Sequence, residues 1–574
     1  MKTKIIFLAS LTLIISSCTD FLTYDESSSY AEDQVFSVRS RSTQMATNVY
    51  SYLKSDFGSV GSAMRAAGCD EAEYVWPSSS VHAFYDGTWS QINTVDDVWA
   101  TNYKGIRAAN HFLDKGVGQT FEENKYQSTY SKDMFKYKNL EYEVRFLRAY
   151  FYFELIKRYG GVPLFTKVLT EEEANSISRT SYEEVSQFIV NECDTAAKYL
   201  PKFYDASYDA ETGRVTRMAA LALKARVLLY AASDLYNQAG INKLNGFTSG
   251  DRTQRWKDAA KAAKALIDSA SVYKINSLIA YDKIPNNIAL PELIYARREA
   301  NSGTFESLNY PVGFEGGNSG TCPTQNLVDA YEIKKSGTTL DGTYFNWNDP
   351  TQTVNPYANR DPRLGLTVVL NNTKWAYDET VEAWEGGNSG LPKSGASNTG
   401  YYLKKYLDKN ISFKPSGLTT SRHVWVMFRY AEVLLNYAEA MNEAFSSPTY
   451  KDATFTLSAV EAINLVRKRT GVALIAIPNT INTVDFRAKV RNERMVELAF
   501  EDHRFWDIRR WMIGPETVAI KRTKIVKNNT TPVTFTYTTF TTNNRVWDDK
   551  MYFYPIALSE IYKNRNLQQN PGWE

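Results

Sequence analysis

The sequence is poor in the residues that build metal and disulfide sites. Among 574 residues there are only four histidines and four cysteines. Cys18 follows an N-terminal apolar run, and Cys69, Cys193 and Cys322 are odd in number and far apart, so neither a disulfide framework nor a zinc site is predicted. We expect these three to be small buried apolar residues, and the sequence predicts no cofactor and no metal site.

An excess of charge of one sign is also missing. The chain has 66 lysines and arginines against 64 aspartates and glutamates, and loss of Lys2 and Lys4 with an N-terminal leader would make the two sets equal. No run of basic residues supplies the cationic face that nucleic-acid binding requires. The composition therefore argues against a nucleic-acid partner.

The one long apolar run lies at the N-terminus. Residues 1–17, MKTKIIFLASLTLIISS, carry two lysines, an uncharged stretch from Ile5 to Ile15 and then small residues, which is typical of a secretory signal peptide and too short for a lasting membrane span. The segment from Ile15 to Cys18 resembles the lipobox of bacterial lipoproteins, in which the cysteine becomes the lipidated first residue. We expect a signal peptide at 1–17 and a tether at 18–34 that is lipidated at Cys18 and holds the protein at a membrane surface.

Alanine recurs at helical spacing in several segments. The clearest segment is RMAALALKARVLLYAASDLY (217–236), and Trp256, Ala259, Ala260 and Ala263 follow the spacing of the first helix of a tetratricopeptide repeat. Further helices are predicted at 95–112, 141–159, 182–200, 429–444, 457–470 and 485–508. A mature chain of about 550 residues exceeds one compact core, so a helical repeat architecture is favoured.

The sequence pattern changes after residue 300. Loops rich in Gly, Asn and Pro replace the helical period, and residues 528–547 alternate apolar residues with threonine, which predicts a strand or hairpin. We therefore divide the chain into an N-terminal helical region at 35–300 and a C-terminal region at 301–574, which contains a loop-rich insertion at 301–424 and closing helices. The expected fold is mainly α, with loop-rich and small β insertions.

Five segments together resemble the SusD/RagB family. They are EVRFLRAYFYFELIKRYGGVPL (143–164), ANRDPRL (358–364), FRYAEVLLNYAEAMNEA (428–444), RNERMVELAFEDHRFWDIRRW (491–511) and YFYPIALSEIYKNRNLQQNPGW (552–573). They occur in the family's order and span nearly the whole chain. The resemblance implies a SusD-like fold on tetratricopeptide-like helices, in a surface-exposed outer-membrane lipoprotein. Such a protein binds glycans and caps a SusC-like TonB-dependent transporter.

Three functions remain open at this stage. The first is non-catalytic capture of an oligosaccharide for the transporter. The second is binding of a peptide or protein, as in some RagB-type relatives, because repeat helices commonly present such surfaces. The third is a lipid-anchored glycoside hydrolase, which would need two carboxylates roughly 5–9.5 Å apart across a cleft.

The acidic residues of the segment 491–511 are interpreted as scaffold. Glu493, Glu497 and Glu501 lie four apart, and on one helix they would repel each other. We expect local pairs between Arg494 and Glu497, Arg504 and Asp507, and Asp507 and Arg510. Arg429, Arg467 or Arg469 from adjacent helices would neutralise the remaining charge. In ANRDPRL, Arg360 or Arg363 is expected to bond nearby carbonyl groups, and Asp361 to open a turn.

Aromatic residues outside helices are the candidates for ligand binding. Sugars present flat C–H patches that stack on aromatic rings, and polar side chains nearby bond their hydroxyl groups. By the resemblance, aromatics from the segment before the helix near residue 95, together with others from the insertion, contact ligand. The predicted ligand-binding residues are Asp70, Trp76, Tyr85, Trp89, Phe314 and Trp347. No ligand spacing argues for calcium.

Overall fold

The computed structural model describes residues 30–204, 213–272, 277–284, 286 and 290–574. The expected signal peptide, Cys18 and most of the expected tether lie outside these residues. Within them, no helix combines the length and the apolar character that crossing a bilayer demands.

Helices dominate the described residues, in agreement with the predicted fold class. In chain order they are α1 (Glu32–Phe36), α2 (Arg39–Tyr50), α3 (Ala83–Asp86), α4 (Trp99–Lys115), α5 (Tyr130–Tyr159), α6 (Glu171–Ala174), α7 (Tyr182–Tyr199), α8 (Arg217–Ala232), α9 (Arg252–Ser269), α10 (Thr304–Asn309), α11 (Gln325–Ala330), α12 (Pro350–Thr353), α13 (Leu364–Thr367), α14 (Tyr430–Phe445), α15 (Ala459–Arg467), α16 (Thr483–Glu497), α17 (Arg504–Arg510) and α18 (Leu558–Lys563).

The strands form small antiparallel pairs. They are β1 (Ala72–Tyr74), β2 (Leu293–Ser302), β3 (Thr321–Pro323), β4 (Val368–Val369), β5 (Tyr402–Leu403), β6 (Ser421–Arg429), β7 (Ala519–Asn528) and β8 (Thr534–Asn544). β1 pairs with β3, β2 with β6, β4 with β5 and β7 with β8. The last pair confirms the predicted hairpin, which begins earlier than expected. The first pair carries the segment after Tyr74 to the loop before Thr321.

The long helices pack in sequence as a tetratricopeptide-like array. α4 packs on α5, α5 on α7, α7 on α8, α8 on α9, α9 on α14 and α14 on α15. Ala259, Ala260 and Ala263 of α9 are all buried, because small side chains allow neighbouring helices to approach closely. This confirms the repeat architecture that the alanine spacing predicts.

Local sequence signals stabilise the helix α5 and define its end. Two acid–base pairs with the acid four residues before the base form within it, with Glu141 3.1 Å from Arg145 and Glu154 2.8 Å from Arg158. Gly160 ends the helix at a φ of +72°. The helix begins eleven residues before the predicted start at residue 141, because its first turns bury only a narrow stripe that includes Met134 and Tyr137.

The predicted helix at 485–508 is two helices. α16 ends at Glu497 and α17 begins at Arg504, and Phe500 and Asp502 in the turn between them have positive φ. Glu501 therefore lies in a turn and not on the helical ridge of Glu497.

This turn changes the ion pairing. The predicted pair of Asp507 with Arg510 forms at 2.7 Å. The other two local pairs do not, because Arg494 bonds Asp507 at 2.9 Å and Arg504 bonds Asp70 at 2.7 Å. Side chains that come together through tertiary packing replace the helical neighbours.

Glu497 is enclosed by three arginines from separate segments. Its carboxylate lies 2.8 Å from Arg363, 2.7 Å from Arg429 and 2.5 Å from Arg469, and the residue is fully buried. Burial alone would raise the pKa of Glu497, but Arg469, Arg429 and Arg363 together hold it well below its ordinary value. The predicted partners Arg429 and Arg469 are thus confirmed, and Arg363 is an addition.

The neighbouring acids are neutralised in the same way. Glu493 lies 2.6 Å from Arg363 and 3.0 Å from Arg467, and Glu501 lies 2.6 Å from Arg429 and 2.5 Å from Lys405. We call these three glutamates and their cationic partners the buried charge network. Arg363 belongs to this network because it bonds both Glu493 and Glu497.

Arg360 does bond carbonyl groups, as ANRDPRL predicts. Its guanidinium donates to the backbone oxygens of Tyr331 at 2.7 Å and Pro356 at 3.0 Å. Cys69, Cys193 and Cys322 are free and buried, which also agrees with the sequence.

Substituting Glu497→Gln should destabilise the protein. Three buried guanidiniums would lose their shared carboxylate, and breaking a buried ion pair on one side costs about 3–5 kcal/mol. Urea unfolding followed by circular dichroism measures this. Asp378→Asn, in an exposed pair with Lys374 at 3.7 Å, is the control and should change the midpoint little.

The same variant should show a defined pH dependence. Because the folded-state pKa of Glu497 is lowered from 4.5, its contribution is present above that pH and is lost as the pH falls towards the folded-state value. The stability difference between wild type and Glu497→Gln should therefore narrow below about pH 4.5. A difference that stays constant down to pH 3 would contradict this assignment.

Candidate functional site

Trp76 lies on the surface just beyond β1. Its ring is half-buried, and its indole nitrogen donates a 2.8 Å hydrogen bond to the backbone oxygen of Asn318. A Cβ atom at Gly395 would come within 2.9 Å of the ring, so only glycine allows that loop to approach so closely. The ring is therefore fixed between two loops of the insertion.

These two loops contain the same sequence, EGGNSG, at 315–320 and at 385–390. They lack the lysine and the following helix of a phosphate-binding loop. In the structure they meet: a Cβ on Gly313 would clash with the backbone oxygen of Asn388, which accepts a 2.8 Å hydrogen bond from Lys393. Gly313 also has a φ of +99°, a conformation that favours glycine.

A second half-buried ring, Tyr377, borders the first of these loops. Its hydroxyl group donates to the backbone oxygen of Glu315 at 3.5 Å and accepts a 3.0 Å hydrogen bond from the backbone nitrogen of Phe413. The ammonium of Lys414 lies 4.5 Å from the ring centroid. Trp76 and Tyr377 are thus attached to the same loop at Asn318 and Glu315, and we call Trp76, Tyr377 and the two EGGNSG loops the aromatic surface.

His82 and Tyr85 support the backbone of this surface. A ring nitrogen of His82 lies 3.0 Å from the backbone oxygen of Trp76, and the His82 ring packs on Tyr85 with centroids 4.5 Å apart. The Tyr85 hydroxyl group accepts a 2.9 Å hydrogen bond from the backbone nitrogen of Tyr74. Burial raises the pKa of Tyr85 to about 12, so its hydroxyl group stays neutral.

Three of the predicted ligand-binding residues lie in the interior. Trp89 is 2% exposed and packs against Phe84, Tyr554 and Trp573, with ring centroids 4.8–5.1 Å apart. Phe314 is 4% exposed.

Asp70 is also buried, and both of its carboxylate oxygens bond Arg504, at 2.9 and 2.7 Å. These three side chains cannot present a ring face or a free carboxylate to a ligand in this conformation. The expectation for them is therefore corrected: their contribution is to packing and to the attachment of α17.

Trp347 lies elsewhere in the insertion. Its indole nitrogen donates a 2.8 Å hydrogen bond to Asp329, and its ring packs edge-on against Phe345 at 4.8 Å. It is half-buried like Trp76, but the two rings have no hydrogen-bond or ring-packing partner in common. The structure thus brings together Trp76 and Tyr85 of the predicted set and leaves Trp347 apart.

Tyr377 is not among the residues that the sequence predicts for ligand binding. It has no distinguishing motif, because its position depends on two backbone groups of the insertion that are distant in sequence. Trp375, close by in the chain, is 6% exposed, so an aromatic residue in this segment is not by itself a signal of exposure.

The carboxylates of the buried charge network do not form a cleft. Glu493 and Glu497 are 1% and 0% exposed and face arginines. Within the described ranges, no group of three or more His, Cys, Asp or Glu side chains is arranged to hold a metal ion. The chemistry offered by the aromatic surface is ring stacking and hydrogen bonding.

Comparisons with known proteins agree over most of the chain. The family model described as "SusD family" matches residues 292–573, and one described as "Starch-binding associating with outer membrane" matches residues 20–229. SusD-like protein P25 of Formosa agariphila is 23% identical over 96% of this chain and 95% of its own length.

Solved structures share the fold. A SusD-like protein from Bacteroides fragilis superposes with a TM-score of 0.75 at 28% identity, covering 94% of this chain and 98% of its own. A SusD-like carbohydrate-binding protein from the same organism has a TM-score of 0.73 at 25% identity, covering 93% and 100%.

The two tryptophans should differ in their effect on stability. Trp89→Ala removes a side chain enclosed by three rings and should lower the free energy of unfolding by about 3–5 kcal/mol, as for other buried aromatic truncations. Trp76→Ala, at a half-buried position, should cost clearly less. Thermal and urea unfolding of both variants tests this, and equal losses would mean that Trp76 is also a core residue.

Proposed function

Because the chain belongs to the SusD/RagB family, we propose that it binds oligosaccharides at the aromatic surface and does not cleave them. The observation that carries the proposal is the fixed, half-buried ring of Trp76, which is attached to the same loop as Tyr377 among loops rich in glycine and asparagine. The carbohydrate-binding relative from Bacteroides fragilis supports this ligand class.

The surface suits a sugar for two physical reasons. Rings held by hydrogen bonds lose little entropy when a pyranose stacks on them. Lys414 lies over the Tyr377 ring, and Lys393 bonds the backbone of Asn388 in the second EGGNSG loop. Lys414, Lys393 and Asn388 are all at least partly exposed, so they are available to bond hydroxyl groups. Because such stacking adds only about 0.5–1.5 kcal/mol per ring beyond area burial, we expect affinities in the roughly micromolar to millimolar range.

The absence of turnover belongs to the same proposal. A glycoside hydrolase needs two accessible carboxylates. The glutamates of the segment 491–511 are the candidates for such a pair, but they are buried in ion pairs of the buried charge network. The hydrolase alternative therefore has little support. The peptide-binding alternative is supported only by the general use of helical repeats as peptide-binding surfaces.

The transporter and the membrane anchor complete the proposal. We infer that residues 1–17 are removed, that Cys18 is lipidated, and that residues 18–34 tether the helical region 35–300 and the C-terminal region 301–574 to the outer surface of the outer membrane. There the protein would pass its ligand to a SusC-like TonB-dependent transporter. The family description of association with the outer membrane supports this location.

Trp76→Ala should abolish glycan binding. A glycan array followed by calorimetry on the best ligand measures this, with Trp347→Ala as the matched control: both rings are half-buried and both donate a 2.8 Å hydrogen bond. Retained binding in Trp76→Ala and loss in Trp347→Ala would move the site to the loop 343–349. Binding of peptides but of no glycan would favour the second function.

Incubation of purified polysaccharides with the protein should release no new reducing ends. The reason is that Glu497 is buried among arginines and cannot act as one of two accessible catalytic carboxylates. A reducing-sugar assay measures the result. Release that Glu497→Gln abolishes, in protein shown to be folded, would establish the hydrolase.

Cys18→Ser should move the protein from the membrane to the soluble fraction, because the acyl chains would have no attachment point. Fractionation of cells expressing the full chain tests this, and Cys193→Ser, at a buried thiol, is the control. Unchanged membrane retention of the Cys18→Ser variant would argue against the lipid anchor.

A further inference from the structure

A cavity of about 630 Å³ opens among the helices, outside the aromatic surface. It lies between α9, α14, α16 and the residues that follow α17, and it shares no lining residue with the aromatic surface. Its wall includes Asp234, Arg252, Glu443, Arg487, Arg491 and Trp511. This volume falls within the range of about 300–1,000 Å³ that is usual for small-molecule sites.

Most charged groups in this cavity already have partners. Arg252 lies 2.5 Å from Asp234, and Arg487 makes a bidentate pair with Glu443 at 2.7 and 2.6 Å. Glu439, deeper in the wall, makes a bidentate pair with Arg510 at 2.5 and 2.7 Å. These pairs cancel each other's charge, so the cavity does not attract ions by bulk potential.

Arg491 is different from the other arginines of the cavity. None of the described residues accepts a hydrogen bond from its guanidinium, and the nearest carboxylate oxygen, on Asp234, is 3.7 Å away. Its guanidinium is stacked over the ring of Trp511, 4.8 Å from the centroid, which holds it in place. Burial lowers the pKa of Arg491, and Glu439 and Asp234 do not compensate.

We infer that Arg491 binds an oxyanion, a carboxylate or a sulfate group, carried on a saccharide unit that enters this cavity. A guanidinium offers five donors in a fork that matches such groups. Asp234 and Glu443 are partly exposed, and their free lone pairs can accept hydroxyl donors from the same sugar. A cavity balanced in charge but lined with acceptors therefore favours an acidic sugar over a bare anion.

This second site rests on the proposed function only in assuming that the protein handles saccharides. The two sites are separable, because Trp76→Ala should abolish neutral glycan binding and leave this site intact. Arg491→Gln should do the opposite.

The test is titration of the full mature protein with glucuronate, galacturonate and glucose 6-sulfate, followed by saturation-transfer NMR and calorimetry. Glucose, acetate and inorganic sulfate are the ligand controls. We expect the acidic sugars to bind and Arg491→Gln to weaken them at least tenfold, whereas Arg107→Gln, at an exposed arginine of α4, should not. Thr253→Trp, at the exposed rim of the cavity, should also block binding and does not depend on removing a charge.

Several results would overturn the inference. The first is glucose binding that Arg491→Gln weakens as much as it weakens binding of the acidic sugars. The second is acetate or sulfate binding as tightly as the acidic sugars. The others are no binding of any acidic sugar, and acidic-sugar binding that survives both Arg491→Gln and Thr253→Trp. Arg491-dependent binding of an acidic peptide in place of the sugars would also overturn it, in favour of a protein ligand.

Discussion

The enclosure of Glu497 by Arg363, Arg429 and Arg469 is the constraint on which the rest of the structure depends. A buried carboxylate is stable only with its partners in place, because removing one leaves an uncompensated charge in the interior. The three arginines come from the loop-rich insertion, the end of β6 and the turn after α15. One carboxylate therefore fixes the insertion to the helical array.

The aromatic surface follows from that attachment. In the same insertion, β3 pairs with β1, which brings Trp76 to the loop containing Asn318. The two EGGNSG loops then meet over Gly313 and leave the rings of Trp76 and Tyr377 held by backbone hydrogen bonds. Glycine is needed where loop and ring approach most closely, at Gly395. A surface built in this way is rigid although it consists of loops.

The aromatic surface and the cavity of Arg491 both place a cation next to an aromatic ring, but the two groups have opposite roles in the two places. At the aromatic surface, the partly exposed rings are the groups that we propose to bind ligand, and the nearby cations are secondary. In the cavity of Arg491, the guanidinium covers the ring of Trp511. The guanidinium, and not the ring, is therefore the group that we propose to bind ligand. An aromatic ring can thus be either the binding element or the support of one, and exposure of the ring distinguishes the two cases.

Local signals in the sequence determined the helices and the family. The acid–base spacing in α5, the glycine at its end and the alanines of α9 act over one or two turns, so they are visible without a structure. Arg429, Arg467 and Arg469 could be predicted as partners because the glutamates of the segment 491–511 need cations and that segment supplies too few of them.

Tertiary structure alone decided which aromatic residues face solvent. Trp76 and Trp89 lie in one segment with similar neighbours, but Tyr554 and Trp573 from the end of the chain enclose only Trp89. Burial of a loop residue depends on contacts that are distant in sequence, and local periodicity carries no information about them.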